Sequence, residues 1–137
     1  MLRKFTLLIC FSIIFISSAF CDTTDYFHVF YNKIKIKDVS ISLPLQMKKA
    51  DIKENDTLSV EYWDDTPCAT CKFFLVVIDN KNNYVKVSTN IGQGEPLIIP
   101  MSAIMLWSDN KLVNTFDIYY YEEKPAFPIH LFTLKLQ

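Results

Sequence analysis

The residues of this 137-residue chain best placed to do chemistry are Cys68 and Cys71. They lie in the stretch Tyr62-Trp63-Asp64-Asp65-Thr66-Pro67-Cys68-Ala69-Thr70-Cys71-Lys72. A C-x-x-C pair has three uses. As thiols, a low-pKa Cys68 attacks a disulfide and Cys71 resolves the mixed species. As a disulfide, the pair closes a short loop. Its chain-entropy contribution is then below the ~3 kcal/mol of a 15-residue loop, enough to pin a local bend. As metal ligands, the cysteines supply two of the four N/S donors that a structural zinc takes. The only histidines, His28 and His130, fall in strand-like segments near opposite ends of the chain, and nothing in the spacing assembles a site. We expect a disulfide, no metal and no cofactor.

The motif, with Trp63 upstream and Lys72 after it, resembles the active site of the thioredoxin family. That resemblance covers Trp63 to Lys72 and implies a thiol–disulfide oxidoreductase or redox sensor. Cys68 would be its nucleophile, at the start of a helix. The chain departs from the pattern in three places. Cys71 is followed by the β-type run Lys72-Phe73-Phe74-Leu75-Val76-Val77-Ile78, Pro67 directly precedes Cys68, and no alternation of strands and helices surrounds the motif. A helix starting at Cys68 supports the redox reading. A strand starting at Lys72 opposes it.

Aromatic side chains are the second resource, at 15% of the chain. Tyr62, Trp63, Trp107 and the run Tyr119-Tyr120-Tyr121 stand out. Rings on a sheet pack a core or, where exposed, stack on sugars and anchor protein partners. Alternation sets Tyr119 and Tyr121 on the face opposite Phe116, Ile118 and Tyr120, so one of these faces is a candidate surface. The candidate binding residues are therefore Tyr62, Trp63, Asp64, Asp65, Tyr119 and Tyr121. Calcium needs six to eight oxygens, so Asp64 and Asp65 read as a solvated turn before they read as a cation site. Asn55-Asp56-Thr57 matches an N-glycosylation acceptor. No nucleophile elbow, phosphate loop, HExxH or glycosidase-like carboxylate pair is present, and we expect no enzyme.

Short β-branched or aromatic segments, bounded by Asn, Asp, Gly or Pro, position these residues. Strands are expected at Tyr26–Tyr31, Lys33–Lys37, Val39–Leu43, Leu58–Trp63, Phe73–Ile78, Tyr84–Ser88, Pro96–Pro100, Val113–Tyr121 and Ile129–Leu136. Lys33–Lys37 and Val39–Leu43 are either two strands or one. Phe73–Ile78 is the expected central strand, residues 72–88 a hairpin, and Pro96–Pro100 an edge strand. Lys48–Thr57 reads as a loop. Ser102–Trp107 is the one segment compatible with a helix, of little more than a turn, capped by Ser102. The fold class is all-β, with about seven or eight strands. It is expected to be a two-sheet antiparallel β-sandwich of the immunoglobulin, fibronectin III or transthyretin-like kind, with a small closed barrel as the alternative.

Residues 1–21 read as a secretory signal peptide. Arg3 and Lys4 precede an apolar run from Phe5 to Ile16 and small residues up to Ala19. Cleavage after Ala19 or after Cys21 fits. The run is shorter than the roughly 20 residues of a transmembrane helix, so no span is expected after processing. Lipid attachment at Cys21 is not favoured, because Phe20 occupies the position where a lipobox has a small residue. Residues 22–137 form one domain. The net charge of −1 is spread along the chain and gives no footprint for nucleic acid. The expectation is a secreted, extracellular or periplasmic, non-enzymatic domain. It would bind a protein or surface glycan through loops or an aromatic face. A thiol–disulfide oxidoreductase and a structural subunit of a cell-surface assembly, joined by strand addition, are the alternatives.

Overall fold

The computed structural model describes residues 26–38, 44–63, 68–123 and 128–137. Within them lie nine strands and one α-helix. The strands are β1 (Tyr26–Tyr31), β2 (Ile34–Asp38), β3 (Leu45–Met47), β4 (Thr57–Trp63), β5 (Lys72–Asp79), β6 (Tyr84–Ile91), β7 (Leu97–Pro100), β8 (Thr115–Glu122) and β9 (Ile129–Leu136). The helix α1 (Met101–Lys111) joins β7 to β8, and a 3-10 turn covers Lys49–Asp51. One sheet has the order β2-β1-β4-β7 and the other β3-β9-β8-β5-β6.

Period-two alternation makes one side of each sheet dry. Leu58, Val60 and Tyr62 of β4 are buried, as are Phe116, Ile118 and Tyr120 of β8. On β5 the inward residues are Phe73, Leu75, Val77 and Asp79. The two dry faces meet across an aromatic contact. Tyr62 of β4 lies 4.8 Å from Tyr120 of β8, and Phe27 of β1 lies 5.0 Å from the same ring. The result is a two-sheet, sandwich-like β architecture.

Five expectations need correction, two of them on the helix. The sandwich is not wholly antiparallel, because β3 pairs with β9 in parallel through Leu45–Leu134 and Met47–Leu136. Phe73–Ile78 is interior but not central, since β8 holds the middle of the five-stranded sheet. Nine strands are seen among the described residues against seven or eight expected, and Val39–Leu43 falls outside those residues.

The helix has 11 residues, not little more than one turn, and it starts at Met101. Pro100 occupies its N-cap and no side chain caps it, so Ser102 does not serve. Its first N–H is instead satisfied by tertiary structure, as Met101 N donates to the Asp56 carbonyl at 2.8 Å. Met101, Ile104 and Ser108 point into the core at helical spacing. Leu112 ends the helix in the left-handed region at φ 53°, and its N–H donates to the Ser108 carbonyl.

The expected edge strand Pro96–Pro100 is at an edge, as β7, and β2 holds the other edge of its sheet. β2 carries exposed Ile34 and Ile36. β7 turns part of its free side toward the other sheet, where Ile98 N donates to Ser88 Oγ of β6 at 3.2 Å.

Two carboxylates organise the end of the sandwich where β4 begins and β5 ends. Asp79, only 1% exposed, accepts from Lys81 N at 2.8 Å, Asn83 N at 2.9 Å, Asn83 Nδ2 at 2.9 Å and Trp107 Nε1 at 3.0 Å. It thereby ties the β5–β6 turn to α1. Burial pushes its pKa up. The Asn83 amide, the Asn83 N–H, the Trp107 indole and the Lys81 N–H outweigh that and hold it at about 2. Asp56 accepts from the Lys53 N–H, the Tyr31 hydroxyl and the Asn32 amide. The same three donors, Lys53 first, hold it below the usual carboxylate range.

Two outcomes follow from this packing. Ile118→Ala, which empties a fully buried site at the centre of the five-stranded sheet, lowers unfolding stability by about 2–5 kcal/mol in a urea titration. Acid acts through Asp79. Its folded pKa lies below the unfolded value of about 3.9, so the unfolded chain takes up the proton first. Its stabilisation is complete above that value and is lost as pH falls toward about 2. Thermal midpoints should drop between pH 5 and pH 2. Asp79→Asn should be less stable at pH 5 and lose less on acidification.

Candidate functional site

Two regions hold the residues singled out by sequence. The first is the end of the sandwich where β4 finishes and β5 begins. Cys68 and Cys71 are joined in a disulfide with Cα atoms 5.4 Å apart. A strand, not a helix, follows, because β5 starts at Lys72. The backbone feature that lowers a thiolate pKa in the resembling active sites is therefore not built here.

The disulfide loop is clamped to the β6–β7 loop. Gly92 N donates to the Cys71 carbonyl at 2.9 Å, and Gln93 N to the Cys68 carbonyl at 3.3 Å. Both glycines of the chain lie in this loop, with φ of 86° at Gly92 and 85° at Gly94. A Cβ at Gly92 would stand 3.2 Å from the Ala69 carbonyl oxygen, and one at Gly94 would stand 2.8 Å from the Trp63 ring. Trp63 thus lies flat against a glycine while keeping 47% of its surface exposed. Its neighbour Tyr62 is buried among Phe27, Phe73 and Tyr120 and belongs to the core rather than to a binding surface. Asp64 and Asp65 lie outside the described residues.

The second region is the outer face of the five-stranded sheet. Tyr119 and Tyr121 sit there half-buried, opposite Val76 and Phe74 of β5. Together with Val76, Ile78, Tyr84 and Pro128 they line an open groove of about 360 Å³. Phe74 stacks on Tyr121 with ring centroids 4.8 Å apart and planes 12° off parallel. Lys72 Nζ stands 5.2 Å over the Phe74 ring. Tyr119 meets His130 edge-on at 5.1 Å. A register shift in the β8–β9 pair sets Tyr119 opposite His130 and leaves Leu131 as the extra residue.

His130 Nε2 lies 3.1 Å from Asp117 Oδ1, and the Thr133 hydroxyl donates to that same oxygen at 2.6 Å. The hydroxyl is therefore bound to the carboxylate and not to the imidazole, so the order of a hydrolytic triad is not assembled. His28 lies on the outer face of the other sheet, next to Phe30 and opposite Glu61. The two histidines are thus on opposite sides of the sandwich. No cluster of three metal-ligating side chains occurs among the described residues.

Alternation points to Tyr119 and Tyr121 as surface candidates, does not single out Phe74 or Tyr84, and leaves His130 weighed only as a metal ligand. The cross-strand register is what brings these five together, and it needs the order of strands in the sheet. The groove presents rings for stacking and phenol hydroxyls for hydrogen bonding, and its lining among the described residues is Val, Ile, Tyr and Pro.

The glycine clamp makes its own prediction. Gly94→Ala should cost on the order of 1–3 kcal/mol by chemical denaturation, from backbone strain at positive φ and from the clash with Trp63. Adding Trp63→Ala should relieve the clash and leave the backbone part, so the two substitutions are non-additive. Full additivity would show that the ring does not rest on Gly94.

No family model matches this chain, and neither the curated proteins nor the solved structures contain a significant match to it.

Proposed function

We propose that the chain is an exported, non-enzymatic binding domain with an immunoglobulin- or fibronectin III-like sandwich fold. It takes a protein or surface glycan on the tyrosine groove of its five-stranded sheet. The observation that carries this reading is the groove itself. Tyr84, Tyr119 and Tyr121 come together with Val76 and Ile78 on the face of the five-stranded sheet turned away from the other sheet. Tyrosine suits such a surface because its ring is apolar and its hydroxyl is polar, at the cost of few rotamers. The rings are held before a ligand arrives, Tyr121 by Phe74 and Tyr119 by His130, which lowers the ordering cost of binding.

Export rests on the leader-like residues 1–21 and fits a disulfide in the mature domain. No helix among the described residues is long and apolar enough to cross a membrane. The Cys68–Cys71 bridge acts here as a brace for the loop beside Trp63. A redox role draws no support from the strand that begins at Lys72.

The test is a screen of the purified, disulfide-intact domain against arrayed glycans and cell-surface proteins, followed by titration of any hit. Tyr119→Ala and Tyr121→Ala should each weaken binding at least tenfold, about 1.4 kcal/mol, with thermal midpoints close to the parent's. Cys68→Ser/Cys71→Ser should retain binding. Titrations unmoved by both tyrosine substitutions would sink the groove as the site.

A further inference from the structure

We propose that Asn55 is an acceptor for an N-linked glycan, an inference that rests on the export reading above. Asn55-Asp56-Thr57 satisfies the acceptor pattern, and the structure shows how the three residues are deployed. Asn55 is exposed in the turn before β4. That turn is closed by Asp56 N donating to the Lys53 carbonyl at 3.1 Å. Asp56 is turned inward, with its carboxylate bound by Lys53 N, Tyr31 and Asn32. Thr57 opens the strand, and its N–H donates to Asn32 Oδ1 at 2.9 Å. A glycan on Asn55 therefore leaves solvent-side space filled and core contacts intact.

The same contacts set the timing. In the folded domain Asp56 and Thr57 are fixed by the β1–β2 turn and by Met101 N on the Asp56 carbonyl. A transferase needs this tripeptide free, so modification precedes the docking of β4, during translocation. The donor is a lipid-pyrophosphate-linked oligosaccharide. The Asn55 Nδ2 forms a bond to the anomeric carbon and loses one proton. The bond from that carbon to the pyrophosphate oxygen breaks, and lipid pyrophosphate leaves with the electron pair.

Position makes the glycan compatible with the tyrosine groove. Asn55 precedes β4 in the four-stranded sheet, whereas the groove lies on the outer face of the five-stranded one. The register runs from Leu58 to Tyr31 to Ile34, so the glycan stands at the same end of the sheet as the exposed Ile34 of β2, an edge strand among the described residues. Bulk there opposes strand addition by a second chain.

The full chain, translated in the presence of endoplasmic-reticulum microsomes, should become protected from added protease. It should also carry a mass increment that an N-glycanase removes. Asn55→Gln and Thr57→Ala should be protected without the increment, and Thr57→Ser should keep it. A protected parent chain without the increment overturns the acceptor assignment and leaves export standing. An increment that persists in Asn55→Gln overturns it as well. A parent chain left open to protease overturns both the assignment and the export on which it rests.

Discussion

Four rings in one contact, Phe27, Tyr62, Phe73 and Tyr120, determine much of what else this chain can do. They come from β1, β4, β5 and β8, two strands from each sheet, with centroid separations of 4.8 to 5.9 Å. Tilted and edge-on ring pairs of this kind add roughly 0.5–1.5 kcal/mol each beyond the area they bury. Their larger effect is on register. A one-residue slip of β4 or β8 would carry a ring from the core to solvent, so the pairing of both sheets is fixed by these positions. Once Tyr62 and Tyr120 face inward, strand geometry forces Trp63, Tyr119 and Tyr121 outward. The exposed aromatic residues are the other half of the pattern that builds the core.

The two ends of the sandwich are closed by different physics. Beside β5's start, geometry does it: two glycines at positive φ let one loop lie close to the Ala69 carbonyl of the disulfide loop and, at Gly94, against the Trp63 ring at a distance a Cβ would not allow. The disulfide spans three residues of sequence and adds little chain entropy, so its part is to hold the Cys68 and Cys71 carbonyls where Gly92 and Gln93 can reach them. At the other end, charge does it. Asp79 and Asp56 each gather donors from separate segments, and a buried carboxylate holds its place only when its lone pairs are so filled. Asp79 joins a hairpin to the helix. Asp56 joins the β1–β2 turn to β4, and its carbonyl starts the helix.

What could be read from sequence was what alternates. The inward and outward residues of β4 and β8, the β5–β6 hairpin and the span of β9 all follow from period two and turn residues. The helix was legible in place but not in length. Met-Ser-Ala-Ile-Met-Leu-Trp carries no strong cap, and the group that starts it, the Asp56 carbonyl, lies 45 positions upstream. Its end at Leu112 breaks the rule that glycine takes the left-handed position. The parallel β3 strand has three residues, too few for any periodicity. Tyr62 and Tyr119 show the limit for the site. Both are strand tyrosines with an aromatic residue next in the chain, and only the partner sheet decides that the first packs and the second lines a groove.

That decision also separates stability from binding. The inner faces of both sheets are filled by residues close to fully buried. Yet Val76, on the outer face, is only 2% exposed, which means that side chains on that face already cover it. Tyr119 lies directly opposite Val76 in the ladder, and both line the groove. An outer face that shields its own valine while leaving Tyr84 68% exposed is neither a second core nor an ordinary wet surface. It is a partly dried concavity with phenol groups along it. Among the described residues its lining carries no ionised side chain, so the chemistry it presents is apolar area edged by phenol hydroxyls.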